Sequence, residues 1–111
     1  MNIQIFGSKK SNDSKKAERW FKERRIKFQY IDLYDKGLSL GEYRSVKAAV
    51  GFEMLVDTQC DAYEDLGLQY VPPQAVDARI ADCPAVLRAP IVRNGKQATV
   101  GYCPEIWKDW E

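Results

Sequence analysis

Residues 3–32 read IQIFGSKKSNDSKKAERWFKERRIKFQYID, and the fold turns on this stretch. Ile3-Gln4-Ile5-Phe6 is a short apolar run ended by Gly7, the pattern of a strand that stops at a turn. From Ser11 onward the spacing becomes helical: Ala17, Trp20 and Phe21 share one face, and charges fill the other. Ser11, Asn12, Asp13 and Ser14 are all residues that cap helices, because their side-chain oxygens accept the first free backbone N–H groups. Ile26 to Asp32 alternates and is rich in aromatics, which predicts a second strand. Strand, helix and strand over about thirty residues make a βαβ unit, so the two strands run parallel.

Working outward, Ser39-Leu40-Gly41-Glu42 has the form of a capping box and predicts a helix through about Val50, stopped by Gly51. Tyr63-Glu64-Asp65-Leu66-Gly67 ends another helix at a glycine. Pro72-Pro73 opens a third, with Val76, Ile80 and Cys83 on one apolar face until Pro84. Pro90-Ile91-Val92 and Ala98-Thr99-Val100 flank Asn94-Gly95, the signal of a tight antiparallel hairpin. Pro104-Glu105 starts a last helix whose apolar residues are Ile106, Trp107 and Trp110. The order βαβ, helices, ββα predicts an α/β thioredoxin-like fold with a mixed four-stranded sheet. An inserted helical subdomain falls at about residues 39–84, within a single domain over residues 1–111.

The chain has 111 residues, 45% of them hydrophobic, enough for one core. No stretch approaches the roughly 18 apolar residues of a membrane span. Met1-Asn2-Ile3-Gln4 lacks the basic and apolar blocks of a signal peptide, so a cytoplasmic monomer without membrane attachment is expected. The net charge of +1 hides an asymmetry: residues 1–27 hold nine Lys/Arg against three acids, and the remainder holds eight against thirteen. Such a basic end suits an oxyanion or an acidic protein surface, or is simply a solvated helix face. Near-zero net charge and the lack of a helix-turn-helix pattern argue against direct DNA binding.

Histidine is absent, which removes the usual general base, the usual zinc ligand and the usual partner of a Ser or Cys nucleophile. Cys60, Cys83 and Cys103 form no C-x-x-C pair, so reduced thiols are expected, with neither a disulfide framework nor a metal site. Cys83 reads as core. Cys103 follows the last strand and precedes a helix start, which makes it the alternative thiol.

Four segments, Phe6-Gly7-Ser8-Lys9-Lys10-Ser11-Asn12-Asp13-Ser14-Lys15-Lys16-Ala17, Tyr63-Glu64-Asp65-Leu66-Gly67-Leu68, Leu87-Arg88-Ala89-Pro90-Ile91-Val92 and Val100-Gly101-Tyr102, together resemble the arsenate reductase-like (ArsC/Spx) family of the thioredoxin fold. The resemblance keeps their order over nearly the full length. It implies a nucleophilic cysteine where Ser11 stands, a second cysteine or a serine at Ser14, and a cis-proline at Pro90 beside Ser11. It also implies three oxyanion-holding arginines, at Asp57, at Ala89 and near Cys103, and none of these is arginine here. Arg88 and Arg93 are the candidate substitutes, with Lys10 and Asn12 completing an anion-binding set. By the same resemblance no cofactor is bound. The co-substrate would be glutathione or another thiol, the substrate a small oxyanion or thiol, and the protein partner glutaredoxin, thioredoxin or RNA polymerase.

A cysteine at a helix N-terminus is activated because free N–H groups and the helix dipole stabilise its thiolate, lowering a pKa of roughly 8.5 to as little as 3.5. A serine hydroxyl stays un-ionised at neutral pH and forms no disulfide, and a lysine acting as its base would have to be desolvated. The family's thiol chemistry is therefore missing from position 11. Two readings of the helix start stay open, a plain cap worth about 1 kcal/mol and an oxyanion or peptide site. Two functions follow. One is an arsenate reductase-like relative of thiol oxidoreductases, inactive because Ser11 stands where the resemblance implies the nucleophilic cysteine, by natural loss or by an engineered Cys→Ser exchange. The other is a non-catalytic Spx-like regulator that binds RNA polymerase or another protein.

Overall fold

The four strands pair in the order β2-β1-β3-β4 in a computed structural model that describes residues 2–110. Met1 and Glu111, the ends of the expected domain, lie outside the described residues. β1 (Ile3–Gly7) and β2 (Phe28–Asp32) are parallel, with Ile3 opposite Phe28 and Gly7 opposite Asp32. β3 (Ile91–Asn94) runs antiparallel to β1, Phe6 facing Ile91, and β4 (Gln97–Val100) runs antiparallel to β3. α1 (Asn12–Glu23) makes the crossover from β1 to β2. β2 starts at Phe28 rather than at Ile26, because Ile26 N–H returns to the Phe21 carbonyl and Arg25 takes a left-handed φ of 58°. Those residues terminate the helix.

Each face of the sheet carries its own core. Under α1 lie Ile3, Ile5, Ala17, Trp20, Phe21, Val92 and Trp107. The opposite face buries Phe6 and Ile91 against the helices between β2 and β3, through Leu33, Tyr43, Val46, Leu55 and Ile80. Those helices are α2 (Leu33–Lys36), α3 (Leu40–Val50), α4 (Phe52–Leu55), α5 (Asp61–Asp65) and α6 (Pro73–Ala81). Both bonds of the α3 capping box form, Ser39 N–H to Glu42 Oε1 at 2.9 Å and Glu42 N–H to Ser39 Oγ at 3.1 Å. α6 ends at Ala81, so Cys83 is outside the helix. It starts the 3-10 turn Pro84–Val86 and packs, half-buried, on the edge of the core.

The hairpin is present, but its turn falls one residue later than the Asn94-Gly95 pair suggests. Asn94 still pairs with Gln97, which leaves Gly95-Lys96 as the loop, and Gly95 supplies the positive φ of 62°. α7 (Pro104–Trp107) is a single turn continued by a 3-10 turn, Lys108–Trp110. Trp107 takes its one inward position and donates Nε1–H to Thr99 Oγ1 at 2.7 Å, so Ile106 is left 44% exposed instead of in the core. Register brings the end of β1, the start of β3 and the end of β4 to one edge of the sheet. The loop after Gly7, Pro90 and the Gly101–Cys103 segment gather there. Among the described residues no helix is long and apolar enough to cross a membrane.

Candidate functional site

Three serines at positions 8, 11 and 14 build the turn into α1 (Asn12–Glu23). Ser8 N–H donates to Ser14 Oγ at 3.1 Å, Ser11 N–H donates to the Ser8 carbonyl at 3.1 Å, and Ser8 Oγ accepts Lys10 N–H at 3.2 Å. Ser11 is the N-cap, its Oγ accepting Ser14 N–H at 3.1 Å. Ser14 is fully buried and Ser11 half-buried, so position 14 backs the site and position 11 faces it. Asn12 and Asp13 N–H have no backbone partner among the described residues, as expected for the first groups of a helix. Lys9 and Lys10 are exposed beside them, in no ion pair among the described residues, and Lys9 and Lys10 line a cavity of about 410 Å³ with Ser8, Asp32 and Tyr34.

The Ala89–Pro90 bond is cis, and buried Pro90 precedes Ile91, the partner of Phe6 across the sheet. That register sets the cis-proline beside the turn that leads to Ser11. Arg88 stands next to it but is turned to Asp57, 3.9 Å away, where the Val56–Leu87 bridge holds the two segments together. Asp57 is where the family resemblance puts an arginine, so a carboxylate stands there instead, facing the Arg88 guanidinium. Arg93 is not brought to the helix start. It lies opposite Gln4, well back along β1, and its guanidinium donates to Gln4 Oε1 at 2.9 Å and to the Glu42 carboxylate at 3.4 Å.

Cys103 reaches the same edge of the sheet, yet its surroundings oppose a thiolate. Burial pushes its pKa up, the carboxylates of Glu105 and Asp13 add to this, and the thiol donates to the Val100 carbonyl at 3.5 Å. Burial and the two carboxylates thus disfavour the thiolate at Cys103.

Sequence reasoning passed over Ser8 and Tyr30. A Cβ on Gly7 would lie 2.5 Å from the Tyr30 hydroxyl and 3.0 Å from Ser14 Cβ, so glycine at the strand end lets α1 and the tyrosine close over the site. The Tyr30 pKa is raised by burial, then by Glu18 and Asp32. The signal was Gly7 itself; nothing local marks Ser8.

A parallel β1–β2 pair crossed by a capped helix, with a cis-proline hairpin beside the helix start, defines a thioredoxin-fold protein. The chain belongs to the ArsC family, whose model matches residues 6–110. It is 26% identical over 104 residues to the global transcriptional regulator Spx of Staphylococcus haemolyticus, covering 90% of this chain and 79% of that protein. The arsenate reductase from Vibrio cholerae superposes with a TM-score of 0.81 at 22% identity, over 98% of this chain and 97% of the other. The glutaredoxin-like NrdH-redoxin of Escherichia coli superposes with a TM-score of 0.54 at 14% identity, over 100% and 96%.

Proposed function

We propose that this chain is a binding member of the ArsC family, whose α1 start takes a small oxyanion or a carboxylate without thiol chemistry. The observation that carries this reading is the Ser11 side chain, which serves as the N-cap at 3.1 Å from Ser14 N–H; the chain has no histidine, and among the described residues no lysine is bonded to Ser11 to act as its base. The Ser11 hydroxyl proton, Asn12 N–H, Asp13 N–H and Lys10 remain as donors for an anion. Arg88 pairs with Asp57 and Arg93 with Glu42, which supports a reading without the arginine clamp that the resemblance implies. Glutathione, glutaredoxin or thioredoxin would then have no sulfur at position 11 to act on.

The test is a coupled arsenate-reduction assay with glutathione and glutaredoxin, run on the native chain and on Ser11→Cys. The native chain is expected to be inactive. Ser11→Cys should gain a thiol-reagent-reactive cysteine, because the helix start lowers its pKa, while its arsenate turnover stays low. Turnover by the native chain refutes the reading. The likeness to Spx supports a second one, a regulator that contacts RNA polymerase or another protein and cannot sense oxidants at Ser11 and Ser14. Co-purification with RNA polymerase separates the two.

A further inference from the structure

Neither the fold nor the helix start accounts for the outer flank of α1. A cleft of about 250 Å³ runs along it, lined by Lys16, Arg19, Trp20, Glu23, Arg24 and Tyr102. The Arg24 guanidinium stacks 4.0 Å from the Trp20 ring centroid, and the Lys16 ammonium stands 6.0 Å from that of Tyr102, which is 41% exposed. Among the described residues no carboxylate pairs with Lys16, Arg19 or Arg24. The helix dipole favours cations in the last turn, which explains Arg24, but Lys16 and Arg19 lie upstream of it.

The backbone supplies a second observation. Arg25 holds a φ of 58°, giving its N–H to the Lys22 carbonyl while Ile26 N–H reaches the Phe21 carbonyl. Glycine makes this helix stop without strain. An arginine keeps a further cation next to Arg24 in a conformation that disfavours it, and such local misfits cluster at active sites, ligand clamps and switch regions.

We propose that this flank of α1 is a docking surface for an acidic segment of a partner protein, whose carboxylates pair with Lys16, Arg19 and Arg24. The charge asymmetry fits it, with nine basic residues against three acidic ones in residues 1–27. A long phosphate chain fits less well, since beyond the cleft it would run over residues 28–111, which are net acidic. The surface is independent of what occupies Ser11 and is unaffected by Ser11→Cys.

Fluorescence anisotropy of a labelled glutamate-rich peptide, and of a single-stranded oligonucleotide of equal charge, tests it on the full chain. The native protein should bind the peptide more tightly than the oligonucleotide, and Lys16→Glu with Arg19→Glu should weaken peptide binding roughly tenfold. Arg25→Gly should raise the melting temperature yet weaken the peptide about threefold, an effect that misfolding cannot produce. The proposal is overturned if the peptide does not bind, or if the charge-reversed chain binds it equally. Tighter binding of the oligonucleotide, or a higher melting temperature for Arg25→Gly with unchanged affinity, overturns it too.

Discussion

Replacing Gly7 by alanine sets two effects of opposite sign against each other. Gly7 does not use a left-handed φ, so the backbone accepts alanine, and relief of glycine's entropy cost in a strand would stabilise the chain by about 0.5–1 kcal/mol. Against this, the new Cβ would lie 2.5 Å from the Tyr30 hydroxyl, 2.9 Å from its Cζ and 3.0 Å from Ser14 Cβ. Carbon contacts are comfortable at about 3.5–4.0 Å. Tyr30 is 36% exposed on edge strand β2 (Phe28–Asp32) and can swing aside, but buried Ser14 is held by its bonds to Ser8 and Ser11. Overpacking of this kind costs about 1–3 kcal/mol. Sterics win, and a net loss of about 1–2 kcal/mol, or about 4–8 °C in Tm, is expected. Thermal and urea melts of Gly7→Ala, Tyr30→Ala and the double variant measure it. Removing the ring should recover roughly half of the loss, appearing as a coupling of about 0.5–1 kcal/mol. A Gly7→Ala protein as stable as the native one, or strict additivity of the two changes, refutes the argument.

The serine turn and the buried tyrosine give further tests. Ser14→Ala leaves the buried Ser8 N–H without its acceptor and should cost about 1–3 kcal/mol in urea denaturation. Ser11→Ala should cost about 1 kcal/mol, and Ser11→Asp, which restores a capping oxygen, should recover most of it. If Ser11→Asp is as unstable as Ser11→Ala, the cap is not what Ser11 contributes. The Tyr43 hydroxyl is buried without a partner among the described residues, and its pKa is pushed up to about 12 by burial, then by Asp77 and Tyr63. The folded chain thus keeps this proton to about 12 while the unfolded chain loses it near 10.0, so its contribution is intact below that lower value and is lost as pH rises through the window. Tyr43→Phe should flatten the alkaline decline of the urea midpoint and leave neutral-pH stability unchanged or higher; an identical decline in both proteins counts against the assignment.

The strands, the helices and their order along the chain were legible because their signals are short-ranged. Alternation in Ile3–Phe6, the apolar spacing of Ala17, Trp20 and Phe21, and the Ser39/Glu42 capping box all act within four residues along the chain. The hairpin was legible too, but its turn was not placed correctly, since the Asn94–Gln97 pairing and the left-handed Gly95 choose the loop. Ser11 at the start of α1 (Asn12–Glu23) could be read from the sequence. Which serine is buried, and that Ser8 joins them, could not. Arg93 looked available for an anion until the fold delivered Glu42, 51 residues away, to its guanidinium. Arg88 met Asp57, and Cys103 met Asp13, by the same kind of crossing. Caps, turns and periodicity are decided by residues near in sequence, so the sequence alone determined the elements and their order. Ion pairing, desolvation and close approach depend on which distant segments cross, and only the tertiary structure decided those.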